Sequence, residues 1–288
     1  MSAYRFCRTD DVALLVDALN RCWLPYFPGE PAMTPAAFKR SIRDLQVWCS
    51  SCMVAFSGSD PIGVLIGAKR PSGTLVHKIA VHPDHRRQGH GRHLLASLGS
   101  KLAILGPPRI IAEVPETLVP ARELFGASGY VQEALLTDYV LERPEKDGGG
   151  IEGSFVIPVT LDDLAANGLL AQVDPQTCWE RSVETLSARK DEIEGLGVAS
   201  EEQIEASLLY MKREATAEIV SLQTRVEDGG ARLKLLLGHL RARGLETVRF
   251  PKVHPAEISK DLLETLGFRP AGGHLLYAAI RRQRSGSP

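Results

Sequence analysis

The stretch Arg86-Arg87-Gln88-Gly89-His90-Gly91-Arg92 gathers three arginines around two glycines. It follows Ile79-Ala80-Val81-His82-Pro83, an apolar run broken at proline, and leads into His93-Leu94-Leu95, the start of an apolar-periodic segment. A strand feeding a glycine-containing loop that opens a helix presents unpaired backbone N–H groups to an anion, and the helix dipole adds partial positive charge there. Gly89 and Gly91 lack a Cβ, so a ligand can approach the main chain. The dipole contributes only about 0.3–1 kcal/mol at an exposed site. Tight phosphate binding therefore needs the N–H cradle and the arginines together. His77, four residues before Val81 on the same expected strand, adds an imidazole, the group best suited to proton transfer near neutral pH.

Spacing separates the phosphate-binding classes. A Walker-type loop requires Lys-Ser or Lys-Thr after its second glycine, and Arg92-His93 stands there. A dinucleotide fingerprint requires a third glycine at position 94, which is Leu94. A dedicated nucleic-acid binder is disfavoured by a net charge of -1 and a pI near 6.7. A turn with a purely structural purpose is the remaining alternative.

The run Arg86-x-x-Gly89-x-Gly91, entered through Ala80-Val81-His82-Pro83 and left through Leu94-Leu95, resembles the acyl-CoA loop of the GNAT superfamily of N-acetyltransferases. The resemblance implies an α/β (α+β) fold whose mixed, mostly antiparallel sheet is flanked by helices and splayed between strands 4 and 5. It implies acetyl-CoA as co-substrate, held by Ile79, Val81, Arg86, Arg87, Gln88, Gly89, His90, Gly91 and Arg92. It implies an acyltransferase that moves the acetyl group to a primary amine of a small-molecule or amino-acid-like acceptor by direct attack. The alternative is a non-catalytic acyl-CoA-binding or regulatory protein of the same fold.

Two catalytic tasks follow from that resemblance. His77 matches a histidine that some members use as base, whereas Leu75 stands where others carry a glutamate and cannot act. The Val81 N–H is the candidate oxyanion donor. The tyrosine that protonates the leaving thiolate is replaced by Phe125, and the associated asparagine position holds Leu118. A thiol with a pKa of about 8.5 leaves without much help, so the loss weakens the mechanism without excluding it. Tyr26 or Tyr139 could substitute, or simply pack. Trp23, Tyr26 and Phe27 fall where the family forms its acceptor pocket, and either line that pocket or cap the core.

The elements that must position these residues are legible in order. A strand over Tyr4–Arg8 precedes a helix over Asp11–Arg21. The segment Trp23–Pro31 is expected to be non-helical, because three prolines and a glycine interrupt it. Thr34 caps a helix to Leu45. Strands over Val47–Phe56, Ile62–Lys69 and Thr74–His82 form a meander, joined by turns at Gly58–Pro61 and Pro71–Gly73. The helix after the loop stops at Gly106-Pro107-Pro108. A strand over Arg109–Val114, a helix over Pro120–Ala127 and a strand over Leu135–Glu142 complete a first domain, 1–143. Residues 144–152, charged and glycine-rich, read as a linker.

The remainder, 153–288, weakly repeats the plan as a degenerate GNAT-like domain in a tandem arrangement. It offers a strand over Phe155–Val159, a helix capped by Thr160 or Asp162, and a helix over Pro175–Arg189. Strands over Ser207–Lys212 and Ala217–Leu222 precede Arg225-Val226-Glu227-Asp228-Gly229-Gly230-Ala231-Arg232, where a CoA loop would sit. There the glycines are adjacent and two acids would repel a pyrophosphate. Leu263 fills the tyrosine position.

Composition bounds the class. The chain has 288 residues, 44% hydrophobic and 24% charged, the balance of an ordinary globular protein. No apolar window approaches a membrane span and no signal-peptide core opens the chain. Five sparse cysteines suit a reduced, cytoplasmic protein. A monomer or homodimer with no nucleic-acid or membrane partner is expected. Cys49 and Cys52 have C-x-x-C spacing but no second ligand pair follows, and a strand would turn them to opposite faces, so they read as structural thiols. His77, His82, His85, His90 and His93 span strand, loop and helix without an i, i+4 pair, so no metal is expected.

Overall fold

A computed structural model describes residues 2–144, 153–170 and 177–280. Apart from Pro144, the expected linker lies outside them. In chain order the first half forms β1 (Ser2–Phe6), α1 (Val12–Cys22), α2 (Pro35–Leu45), β2 (Met53–Ser57), β3 (Asp60–Arg70), β4 (Gly73–Val81), α3 (His90–Leu105), β5 (Arg109–Pro115), α4 (Val119–Ala127) and β6 (Val131–Glu142). The second half forms β7 (Phe155–Pro158), α5 (Leu161–Ala166), α6 (Val183–Ala188), β8 (Ile193–Ala199), β9 (Ile204–Arg213), β10 (Thr216–Thr224), α7 (Ala231–Ala242), β11 (Thr247–Val253), α8 (Lys260–Thr265) and β12 (Arg269–Ile280).

Contacts divide the chain into two compact units. One takes the described residues up to Glu133 and resumes at Leu275; the other is Ala134–His274. Chain order alone suggested a boundary near residue 143. By contacts, most of β6 groups with the second unit, and the end of β12 groups with the first. Leu275, Tyr277 and Ala279 pack in one core with Leu94, Leu98, Ile110 and Phe125. Tyr139 and Leu141 pack with Leu208, Leu236 and Phe250 in the other.

In the first unit the sheet order is β1-β2-β3-β4-β5, followed by β12. Pairing is antiparallel from β1 to β4 and parallel between β4 and β5. Leu65, Val76, Ile110, Ala112 and Val114 turn one face toward α3 and α4. Val64 and Ile66, equally buried, alternate to the face covered by α1, which packs on β3. The second unit repeats the scheme with order β7-β8-β9-β10-β11-β6, parallel only between β10 and β11. This is the expected mixed, mostly antiparallel α/β fold, present twice.

Two irregularities in β4 matter for function. It pairs with β5 only through Thr74↔Ile110 and Leu75↔Ile111, after which the strands part. On its other edge Gly67 faces Val76 and Ile66 faces Lys78, leaving His77 as the extra residue of a β-bulge. β10 does the same: its parallel pairing ends at Glu218↔Arg249, and Val220 is the residue left out opposite β9.

Some expected boundaries are corrected. The strand expected over Val47–Phe56 begins only at Met53; Val47 makes one bridge to Ala68 and Cys49–Ser51 is a 3₁₀ turn. The turn crosses close over Gly67, where a Cβ would lie 2.6 Å from the Ser51 carbonyl oxygen. Cys49 and Cys52 therefore do not sit on opposite faces of a strand. Both are buried free thiols, and burial raises their pKa values, as it pushes Cys7 up to about 12. Leu24–Tyr26 forms one 3₁₀ turn inside the segment expected to be non-helical. The helix expected over Pro175–Arg189 is, within the described residues, a 3₁₀ turn at Trp179–Arg181 and α6, separated by the extended Ser182.

β8 was not expected, because Gly195 and Gly197 depress strand propensity. Packing requires Gly195 and leaves little room at Gly197. A Cβ on Gly195 would lie 2.4 Å from the Val159 carbonyl oxygen, and one on Gly197 3.0 Å from a Val159 methyl. Gly195→Ala should accordingly lower stability by about 1–3 kcal/mol through overpacking. Gly29→Ala, with open space around its Cβ position, should change it little. Urea denaturation of the two variants checks this.

Candidate active site

The chain leaves β4 at Val81, makes a 3₁₀ turn over Pro83–His85 and starts α3 at His90. Arg87 and Gly89 adopt left-handed backbone angles, φ 61° and 86°, which turn the chain so that successive N–H groups face one side. A Cβ on Gly89 would meet nothing within 4 Å, so this glycine serves the turn and leaves the main chain open. Gly91 also has a packing contact of its own. A Cβ there would lie 3.1 Å from Leu124, so its absence lets α4 pack closely on α3.

A cavity of about 610 Å³ starts at this loop, runs through the gap between β4 and β5 and ends against the segment after α1. Of the residues expected to hold the donor, Ile79, Val81, Arg86, Arg87, Gly89, His90, Gly91 and Arg92 line it; the Gln88 side chain does not. His77 lines it too, as do Trp23, Tyr26 and Phe27 at the far end. The His82 N–H donates to the Ile62 carbonyl at 2.9 Å. Because N–H groups along a strand alternate between its edges, those of Ile79 and Val81 face the gap. The Val81 carbonyl faces it as well, and the Tyr26 hydroxyl donates to it at 2.6 Å. The Arg86 guanidinium lies 5.6 Å from the Tyr26 ring centre. Burial pushes the Tyr26 phenol up, against the opposing pull of Arg86, so it stays protonated at neutral pH.

The far end is aromatic and charged. Trp23 stacks on Phe27 at 4.4 Å. The Lys78 ammonium stands 4.0 Å above the Trp23 ring and 3.5 Å from Glu30, whose carboxylate also accepts the Trp23 indole N–H at 3.1 Å. Lys78 and Glu113 both line the cavity. Neither was singled out from the sequence. Lys78 adjoins His77, but only the bulge, which has no sequence signal here, puts both on one face. Glu113 alternates with the core residues Ala112 and Val114, a pattern that marks it as facing away from α3 and could have drawn attention.

Phe125 is buried, stacked on Tyr277 and edge-on to Tyr130. Leu118 packs beside the same core, and Leu75 is buried in β4. Tyr139 belongs to the core of the second unit and is not among the residues that line the cavity. That leaves Tyr26 as the phenol among the cavity-lining residues.

His90 is 5% exposed. Its Nδ1 lies 2.6 Å from the Tyr4 hydroxyl, and its buried Nε2 has no partner among the described residues. Burial depresses its pKa, with His85 and His93 adding to the effect. Among the described residues, no group of three or more His, Cys, Asp or Glu is arranged to hold a metal ion. No described helix is long and apolar enough to cross a membrane.

The corresponding loop of the second unit is filled from within. Asp228 accepts the Gly230 N–H at 2.9 Å, the Arg232 N–H at 3.0 Å and the Arg232 guanidinium at 2.9 Å. Arg232 is tied further to Glu205 at 2.7 Å. The N-terminal N–H groups of α7 thus face a carboxylate of their own chain.

Residues 14–130 match the family described as Acetyltransferase (GNAT) family. No curated protein sequence matches the chain significantly. Solved structures do so in fold. A GCN5-related N-acetyltransferase from Sphaerobacter thermophilus is similar at TM-score 0.68 and 16% identity, over 98% of this chain and 96% of that one. A tandem GNAT protein from the clavulanic acid biosynthesis pathway is similar at TM-score 0.66 and 20% identity, over 98% and 99%. A GCN5-related N-acetyltransferase from Anabaena variabilis aligns at TM-score 0.66 and 10% identity, over 97% and 73%.

The depressed pKa of His90 has a signed consequence. The unfolded chain binds a proton at the ordinary histidine value of about 6.5, while the folded chain resists it. Stability is therefore expected to fall as pH drops through that value. Thermal melts between pH 7.5 and 5 should show a smaller fall for His90→Gln than for the parent chain.

Proposed function

We propose that the chain is a tandem-GNAT acyltransferase whose first unit moves the acetyl group of acetyl-CoA to the primary amine of a small-molecule or amino-acid-like acceptor. The observation that supports this most is the continuous cavity, which joins the Arg86–Arg92 loop to an aromatic end through the gap between β4 and β5. The residues fit the donor chemically. The open main chain at Gly89 and the N-terminus of α3 suit a diphosphate, with Arg86, Arg87 and Arg92 around it. The free edge of β4 at Ile79 and Val81 suits a chain of amides lying alongside it.

Acetyl-CoA supplies the activated thioester; the protein's contribution is orientation and proton transfer. An alkyl ammonium has to lose a proton before it can attack. His77, on the face of β4 that carries Lys78, is the base in this reading. The Val81 N–H stabilises charge on the carbonyl oxygen as the C–N bond forms. The C–S bond then breaks with its electron pair on sulfur, and the low pKa of a thiol lets it depart without a phenol at Phe125. In the second unit Val220 occupies the bulge and Asp228 the loop, which supports a role other than CoA binding for that copy.

Phe125 and Leu118 favour the second reading, a non-catalytic acyl-CoA-binding protein. Calorimetric titration of the full chain with acetyl-CoA separates the possibilities. One molecule per chain should bind, and Arg92→Glu, at an exposed position, should weaken binding at least tenfold, about 1.4 kcal/mol, without moving the melting temperature. Absence of binding would overturn both readings. Thiol release across an amine panel, reduced about 10²- to 10⁴-fold by His77→Gln at unchanged acetyl-CoA affinity, distinguishes enzyme from binder.

A further inference from the structure

Three ionisable side chains share the acceptor-side face of the gap, and their placement follows from the strands. Leu75 and Ile111 form the last pair between β4 and β5. In a parallel pair, residues in register present their side chains to one face. Ile110, Ala112 and Val114 are buried toward α3, so Ile111 and Glu113 face the other way. Advancing both strands two residues from the last pair reaches His77 on β4 and Glu113 on β5. The two therefore stand at the same level on facing strands, where the strands begin to part, and both line the cavity. Because His77 is the extra residue of the bulge, Lys78 falls on the same face.

We infer that Glu113 is the positioning residue of the base: its carboxylate faces His77 across the mouth of the gap, holds one ring nitrogen and leaves the other for the acceptor. This rests on the reading of His77 as the base of an acetyl transfer. The surroundings of His77 fit the assignment. Lys78, the neighbouring cation, is drawn away over the Trp23 ring and toward Glu30. Tyr26 is committed to the Val81 carbonyl, and Arg86 lies over the Tyr26 ring. Glu113 is thus the anion that faces the imidazole from β5, half-buried where Coulomb interactions are less screened than in open water. A carboxylate so placed fixes the tautomer and favours the protonated imidazole that forms when the amine gives up its proton.

The test reads the imidazole directly, by NMR titration of the full chain without acetyl-CoA or acceptor, with the His77 resonance assigned by its loss in His77→Gln. In Glu113→Gln the His77 midpoint should fall by about one unit, and Glu113→Asp should restore part of the shift. A midpoint unmoved in both variants overturns the proposal. This measurement can fail while acetyl-CoA binding, titrated on the same variants, stands, so the two readings fall separately. With a turning-over acceptor, the acidic limb of the kcat/KM profile should move with the NMR midpoint. A rise in KM with an unmoved limb would instead make Glu113 a ligand of the acceptor's ammonium group and overturn the positioning role.

Discussion

Two residue pairs hold β4 to β5, and the chemistry available to the first unit depends on that pairing stopping where it does. A parallel pair that continued to Val81 would consume the N–H and C=O groups of Ile79 and Val81 in the sheet ladder. By parting after Leu75 and Ile111, the strands leave one edge of β4 unsatisfied and lined by a cavity. Backbone groups left unpaired inside a fold are costly unless something answers them. Tyr26 answers the Val81 carbonyl. The N–H groups on that edge are the ones a ligand can take.

The bulge at His77 is the companion constraint. Without it, alternation would keep His77 on the side facing away from α3 and turn Lys78 toward α3 and an apolar core. With it, an imidazole and a cation share one face, and the cation is held on Trp23 and Glu30. The same insertion restores Ile79 and Val81 to the α3 side, which keeps Ile79 against the core. One extra residue therefore satisfies packing on one face and supplies polar groups on the other.

The parts of this arrangement governed by local rules were legible in the sequence. Gly89 reads as open main chain, and a Cβ there would meet nothing within 4 Å; Thr34 caps α2 by accepting the Ala37 N–H, and Gly106 ends α3. Most residues of the glycine-containing loop, together with Trp23, Tyr26 and Phe27, line one cavity, the placement the resemblance implied. What was not legible depends on partners distant in the chain. Gly195 and Gly197 look like strand breakers until Val159 is seen against them. No local pattern shows that Gly91 also leaves room for Leu124. The grouping of β12 with the first core rests on Tyr277 packing against Phe125, which no periodicity reports. Glu113 gains meaning only from parallel register, a relation between strands that a single sequence does not print.

The second unit shows how the same constraint can be met without a ligand. Its fourth strand also parts from the fifth after a short parallel pairing and also carries one extra residue, but that residue is Val220, buried and inert. At its helix N-terminus Asp228 accepts from two N–H groups and from the Arg232 guanidinium. A carboxylate tethered two residues away loses no translational freedom on binding, whereas a free phosphate does. An external diphosphate would have to displace these hydrogen bonds and then lie beside the displaced charge. In the first loop no acid stands at the equivalent position: Arg87 precedes Gln88 and Gly89, and the nearest carboxylate on α4, Glu123, lies 3.7 Å from the exposed Arg87 guanidinium, not on the helix N–H groups. The two loops share a backbone plan, and the placement of one acidic side chain separates a helix N-terminus that opens on a cavity from one that a carboxylate of its own chain already fills.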